Sequence, residues 1–401
     1  MNYRLFCITQ YNPFVQSNAS SNRWRTIAEG LQKRGYDITV FITNGFLSFT
    51  EYKQFGNSGK TNGIKYYYPL SLLNSNLWFR RINKYLLLRL LSNKQRKKLV
   101  SELEKIRPDI TWVTASESPI RLFCNTFDSK IHHFKVFHEI NEYPDISFVP
   151  DTAIHNLYFN RFINQVDLLV CMTEALIKYF GSIPLKNGVR IHHMPMTVDM
   201  SRFKGVKLNY ENDKPYIAYC GGLNNDKDGI DVLLNSYAMN LSEYDDLNLL
   251  IAGPKEYDGN KILKQIRSMK LSDKVKSLGI LERDKVPELL CRAVLLALPR
   301  PSSRQANGGF PTKLGEYLAS GRPICITRIG EVSMYLEDGK TAFISEPGDP
   351  MSFANALRRI LADKDRADEV GLRGKRVAEL NFSSEVQSGL LYDFINSSMA
   401  E

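Results

Sequence analysis

Apolar residues in this chain fall in short unbroken runs separated by longer stretches of helical spacing. In the first half the runs are Arg4–Thr9, Asp37–Thr43, Ile64–Pro69, Asp109–Ala115, Lys135–Glu139, Asp167–Thr173 and Arg190–Met194. In the second half they are Tyr216–Gly221, Leu247–Gly253, Val275–Gly279, Ala293–Leu298, Pro323–Thr327 and Ala342–Ser345. Strands that are apolar throughout, rather than alternating, belong to parallel sheets covered by helices on both faces. Two such series predict an α/β protein of two doubly wound, Rossmann-like domains. The polar, aperiodic stretch DMSRFKGVKLNYENDKP lies between them. The expected division is an N-terminal domain over residues 1–200, a linker over 201–214, a C-terminal domain over 215–384, and a last helix over 385–401 that returns to the N-terminal domain. A length of 401 residues exceeds what one hydrophobic core usually serves.

Composition narrows the class. The hydrophobic share of 43% and charged share of 24% are those of a globular protein. None of the six cysteines forms a CxxC pair, and most sit in apolar runs, so they read as reduced core residues of a cytoplasmic protein. The opening MNYRLFCITQYNP reads as a first strand and not as a signal peptide. No run approaches the ~18 apolar residues of a spanning helix. The formal net charge of +10 asks for an anionic partner. Much of it sits in one segment, Trp78–Lys98, where Arg80, Arg81, Lys84, Arg89, Lys94, Arg96, Lys97 and Lys98 are interleaved with large apolar residues and no acid. That pattern suits an amphipathic helix on an anionic membrane surface, and the competing reading is a solvated basic face. The expected location is the cytoplasm, and on the membrane reading of this segment it is peripheral on the inner face of the membrane.

The densest chemistry lies in RPSSRQANGGFPTKLGEYLASGRPICITRIGE, residues 300–331. It reads as strand, glycine-containing loop, helix, strand. Gly308 and Gly309 let the backbone approach a ligand. Pro311 and Thr312 open a helix whose free amides favour an anion, and Lys313 adds a full positive charge. A diphosphate fits such a site, with Glu316 one turn on, placed for ribose hydroxyls. The alternative is an ordinary strand–helix–strand crossover.

This stretch resembles the family-4 retaining glycosyltransferases, whose fold is GT-B: two Rossmann-like domains facing a central cleft. Glu316 matches the second Glu of that family's Glu-x7-Glu motif, and Gly309-Phe310 match its Gly-Phe pair. Gly308 stands where the first Glu would be, which passes that role to backbone amides, Gln305 or Asn307. YCGGLNNDKDG, residues 219–229, resembles the Gly-Arg-x4-Lys-Gly motif. Lys227 takes the Lys position, implying a ligand of the donor diphosphate, while Gly222 replaces the Arg; Arg300, Arg304 or Lys313 are candidates for the missing charge. LGILERDKVPELL, residues 278–290, resembles the segment that holds the nucleotide base, with Leu281 the implied contact. MPMTVDMSRF, residues 194–203, resembles the family's linker.

In the first half, SNASSNRWRTIAEGLQKRGYDITVF resembles the family's first loop and helix, with Asn18-Ala19 in place of Gly-Gly. Ser20, Ser21, Asn22 and Arg23 are then expected to face the ligand cleft, while Trp24, Ile27 and Leu31 fit the buried stripe. His138, in VFHEINEYP, matches a family position that touches the donor sugar; Glu139 and Glu142 follow on the acceptor side. The adjacent pairs His132-His133 and His192-His193 point to opposite strand faces and make poor metal sites. The resemblance implies retaining, metal-independent transfer from a UDP- or GDP-linked sugar, with no further cofactor. The implied acceptor is a saccharide or polyprenyl-linked saccharide, in bacterial surface polysaccharide synthesis. Rival readings are a sugar-nucleotide 2-epimerase on the same fold, a catalytically dead donor sensor, and a basic nucleic-acid-binding protein. No common nucleic-acid module appears, so nucleic acid is not expected as a partner.

Overall fold

The computed structural model describes residues 3–15, 18–45, 48–70, 84–127, 132–206, 214–254 and 259–400. The chain forms two compact units, one of Met1–Met194 with Ser388–Glu401, the other of Pro195–Gln387. The division falls ahead of the stretch 201–214 expected as a linker.

The first unit holds β1 (Arg4–Thr9), β2 (Asp37–Ile42), β3 (Ser58–Thr61), β4 (Ile64–Tyr67), β5 (Ile110–Thr114), β6 (Lys135–Ile140), β7 (Leu168–Cys171) and β8 (Arg190–His193). They form one sheet in the order β3-β4-β2-β1-β5-β6-β7-β8. All its pairings are parallel except β3 with β4. Strand β3 carries no apolar side chain, so its pattern does not announce it. The hairpin signal is Asn62-Gly63, where both residues have positive φ, 48° and 83°, as a tight two-residue turn of this hand requires.

The helix Ala19–Lys33 follows β1. Asn18 caps it by accepting from Ser21 N, and Trp24, Ile27, Ala28 and Leu31 make its buried face. Trp24 stacks on Trp112 of β5 at 5.7 Å between ring centroids. Its indole N–H lies 3.1 Å from Cys7 Sγ. The last helix, Ser384–Met399, places Leu391 and Ile395 in this unit's core at zero exposure. Tyr36 donates to Asn396 Oδ1 at 3.2 Å, and Arg34 donates to Ser388 Oγ at 2.9 Å.

The second unit holds β9 (Tyr216–Cys220), β10 (Asn248–Ala252), β11 (Val275–Gly279), β12 (Leu295–Leu298), β13 (Ile324–Thr327) and β14 (Phe343–Ser345). Its sheet runs β11-β10-β9-β12-β13-β14, with every pairing parallel. This is the Rossmann order, in which the strand sequence reverses between β9 and β12. The β9–β12 pairing covers only Leu295 with Ile217 and Leu296 with Ala218. Beyond it the two strands part at their carboxyl ends, the place where such sheets bind ligands.

Of the basic segment Trp78–Lys98, residues 78–83 lie outside the described part. Within the helix Lys84–Ile106 the side chains are described from Ser92 onward.

Candidate functional site

In the second unit the carboxyl end of β9 gathers several of the expected residues. Lys313 opens the helix Lys313–Ser320 and is folded back against the strand end. Its ammonium is ion-paired with Asp228 and donates to Tyr219 Oη at 2.6 Å. Tyr219 in turn donates to the carbonyl of Gly222 at 2.6 Å. Burial lowers the pKa of Lys313 from its usual value; Asp228 opposes this by favouring the charged form, and Arg300 acts against it.

Three glycines make this arrangement possible. A β-carbon at Gly221 would lie 2.2 Å from Lys313 Cε, and one at Gly222 would lie 2.7 Å from Asp228 Oδ2. Gly229 has φ +69°, and a β-carbon there would sit 1.9 Å from the Pro299 carbonyl oxygen, so glycine is required on both counts. Arg300, 5% exposed, donates from Nε to the Lys227 carbonyl at 3.2 Å, and its own carbonyl accepts from Thr327 Oγ1 at 2.6 Å. Lys227 is half-buried in the helix Asn225–Asp228, with its backbone N–H held by Asn224 Oδ1 at 3.0 Å.

Glu316 follows one turn after Lys313, half-buried and ion-paired with Arg202. Arg202 also donates to the Arg283 carbonyl. The Cys220 thiol is pushed up to about 12, first by burial and then by Glu316, while Lys313 and Arg202 pull the other way. All three charges therefore act on the last residue of β9. Asp228, Tyr219 and Arg202 were not anticipated from the sequence. Asp228 had a signal, since it stands between Lys227 and the obligatory Gly229.

Other expected residues sit differently. The loop holding Gly308 is a short helix, Arg304–Gly308, capped by Ser303 accepting from Ala306 N. Gly308 is its last residue, Gly309 follows in extended conformation, and Arg304 is exposed. Phe310, expected at the donor, is 4% exposed and packs against Tyr335 and Phe382, both 5.6 Å away, as a core ring. Thr312 precedes the Lys313 helix without a side-chain cap bond. Leu281 lines a separate groove of 620 Å³ whose walls include Tyr216 and Asn248, the first residues of their strands.

In the first unit Asn18, Ala19 and Ser20 are exposed at the start of the helix that follows β1, and Asn22 is half-buried with its Oδ1 accepting from Arg25 at 2.6 Å. Arg23, expected to face a ligand, turns inward instead. It forms a buried ion pair with Glu139, the side chains 3% and 7% exposed, and donates to the Met194 carbonyl at 2.8 Å. Glu139 is thereby taken from the acceptor side, while Glu142 stays half-buried beyond the end of β6.

His138 is fully buried inside β6. Its Nδ1 donates to the Val113 carbonyl at 2.7 Å and its Nε2 accepts from Tyr158 at 3.3 Å, with Phe162 edge-on at 4.8 Å. Burial lowers its pKa to about 4, and the Val113 bond opposes that shift. As placed, the ring is a neutral core group with both nitrogens engaged, not one presented to a sugar.

Residues 214–363 match the sequence profile of the family described as glycosyl transferases group 1. The match covers the whole of the second unit's sheet together with Tyr219, Asp228, Lys313 and Glu316, and leaves Arg202 outside it. N-acetyl-alpha-D-glucosaminyl L-malate synthase of Bacillus anthracis is 28% identical over 153 residues, which is 38% of this chain and 38% of that protein's own length. Among solved structures, sucrose-phosphate synthase from Thermosynechococcus elongatus superposes with a TM-score of 0.77 at 15% identity, covering 100% of both chains. HepE of Anabaena, in complex with UDP, superposes with a TM-score of 0.70 at 14% identity, covering 99% of this chain and 100% of that one. The fold class is therefore α/β of the GT-B type, with two parallel-sheet Rossmann-like units.

Proposed function

We propose that this protein is a glycosyltransferase that moves a sugar from a UDP- or GDP-linked donor to a saccharide or polyprenyl-linked saccharide acceptor, with retention of anomeric configuration. The observation that carries this reading is the half-buried Lys313 ammonium at the carboxyl end of β9, inside the stretch that matches the group 1 profile. The donor's diphosphate departs from the anomeric carbon, and charge grows on its oxygens as the bond breaks. A cation held in place beforehand, in a partly dry site, stabilises that charge without reorganising at the moment of reaction. Lys313, Lys227 and the amides opening the helix Lys313–Ser320 have this role, so the chemistry needs no divalent ion. We assign Glu316, ion-paired with Arg202, to the ribose hydroxyls. The resemblance to HepE, which was solved with UDP, supports a nucleoside diphosphate as the leaving group. Retention follows from the family-4 resemblance, with the acceptor hydroxyl attacking from the face the diphosphate leaves. The setting we infer is bacterial surface polysaccharide synthesis at the inner face of the membrane.

The test is a panel of nucleotide sugars incubated with saccharide and polyprenyl-linked acceptors, products followed by mass spectrometry and their anomeric configuration by NMR. Transfer with an inverted product would overturn retention alone. Isomerisation of the donor without any acceptor would replace transfer with epimerisation.

A further inference from the structure

We infer that Asp228 is a positioning residue for Lys313, and that this pair delivers from the helix after β12 the diphosphate-binding charge that an Arg in place of Gly222 would otherwise supply. The inference rests on the donor-site reading above. It is carried by the packing of four residues. Gly221 and Gly222 have no side chains, and the space is taken by Lys313 and Asp228: their β-carbons would fall 2.2 Å from Lys313 Cε and 2.7 Å from Asp228 Oδ2. An Arg at 222 would therefore displace the Asp228 carboxylate. The charge candidates left open by the sequence separate here. Arg304 is exposed, Arg300 donates from Nε to the Lys227 carbonyl, and the Lys313 ammonium is the cation that lies against the strand end through Tyr219.

A lysine that is 20% exposed in its side chain has four flexible bonds and a desolvated charge to manage. Asp228, 6% exposed, fixes the ammonium from one side and Tyr219 from another. An ammonium has three donors, so the third remains for a phosphate oxygen. The titratable and charged groups acting on Lys313 are Asp228 from the helix Asn225–Asp228, Tyr219 and Cys220 from β9, and Arg300 from the segment after β12. Of these Asp228 is the anion that favours the charged ammonium against burial and Arg300. Removing it both loosens the lysine and lets it lose its proton at lower pH.

The test is calorimetric titration with UDP and with GDP between pH 7 and pH 10, on the wild type, Asp228→Asn and Gly222→Ala, with thermal melts to check folding. The expected result is affinity roughly tenfold weaker for Asp228→Asn at neutral pH, and an alkaline fall-off that begins at lower pH than in the wild type. Gly222→Ala keeps every charge and pushes only on the carboxylate, so it should move affinity and fall-off in the same direction; it decides the matter if Asp228→Asn does not fold. Wild-type affinity and pH dependence in both variants would overturn the positioning role. Tighter binding by Asp228→Asn would overturn it too, because the carboxylate would then be competing with the diphosphate. A wild type that binds neither UDP nor GDP would bring down the donor-site reading itself.

Discussion

His138 and the pair Arg23–Glu139 show how burial changes what a polar residue can do. The His138 ring is neutral with a pKa near 4 when folded and near 6.5 in the unfolded chain. The unfolded state therefore takes up a proton between those values and the folded state does not. Stability should fall as pH drops from about 6.5 toward 4 and level off below, by on the order of 3 kcal/mol from this group. His192, also lowered to about 4 by burial, adds to the same window. Urea unfolding of wild type and His138→Gln across pH 4–7 measures the difference, and parallel curves would show that the ring does not act this way. Glu139→Ala leaves the Arg23 guanidinium buried without its carboxylate and should cost ~3–5 kcal/mol. Wild-type stability with a lost acceptor affinity would instead return Glu139 to the ligand. Lys227→Ala should lower turnover by ~10²–10³ in a folded protein if Lys227 touches the departing diphosphate. Unchanged kinetics would leave Lys313 as the bearer of that charge.

Two elements depend on positions that an ordinary pattern would pass over. The helix Ile230–Asn240 starts from Gly229, in a left-handed conformation against the Pro299 carbonyl. Gly229→Ala should therefore break the junction between the end of β9's loop and the segment after β12, and the Lys313 site with it. Loss of the cooperative melt, or of UDP binding in a protein that still melts, is the expected outcome; a neutral substitution would contradict the close approach. The last helix joins the first unit's core through Leu391 and Ile395. Leu391→Ala removes a fully buried side chain and should cost ~2–5 kcal/mol in urea unfolding. A cost within a few tenths of a kcal/mol would mean that the helix docks only loosely.

At the scale of the whole molecule, the diphosphate site and the basic segment each make a prediction, one about metal and one about membrane. If cationic side chains and amides stabilise the diphosphate, activity should survive excess EDTA; loss restored by magnesium or manganese would argue against that site. Among the described residues no helix is long and apolar enough to cross a membrane. If the basic segment Trp78–Lys98 meets an anionic leaflet, each cation would gain ~1 kcal/mol there, screened by salt. Co-sedimentation should need anionic vesicles, weaken as salt rises, and weaken when Arg80, Arg81, Lys84 and Arg89 become Ser. A protein that ignores both neutral and anionic vesicles would leave the segment a solvated basic face.

The sequence by itself determined the two series of buried parallel strands, because a strand covered on both faces must be apolar throughout, and that signal is local. It also pointed to a helix after the first strand with Trp24, Ile27 and Leu31 on its buried face, since helical spacing is a short-range signal. It pointed to the segment 300–331, where a cation, a helix start and glycines lie close along the chain. Tertiary structure alone decided who faces whom. Arg23 and Glu139 are 116 residues apart, and Lys313 and Asp228 are 85 apart, so neither pairing leaves a trace in local spacing. It decided that Phe310 and His138 are core groups, because burial depends on what the rest of the chain packs over them. It decided that Lys313, rather than Arg304, lies at the strand end, because only the fold shows which side chain fills the space that Gly221 and Gly222 leave.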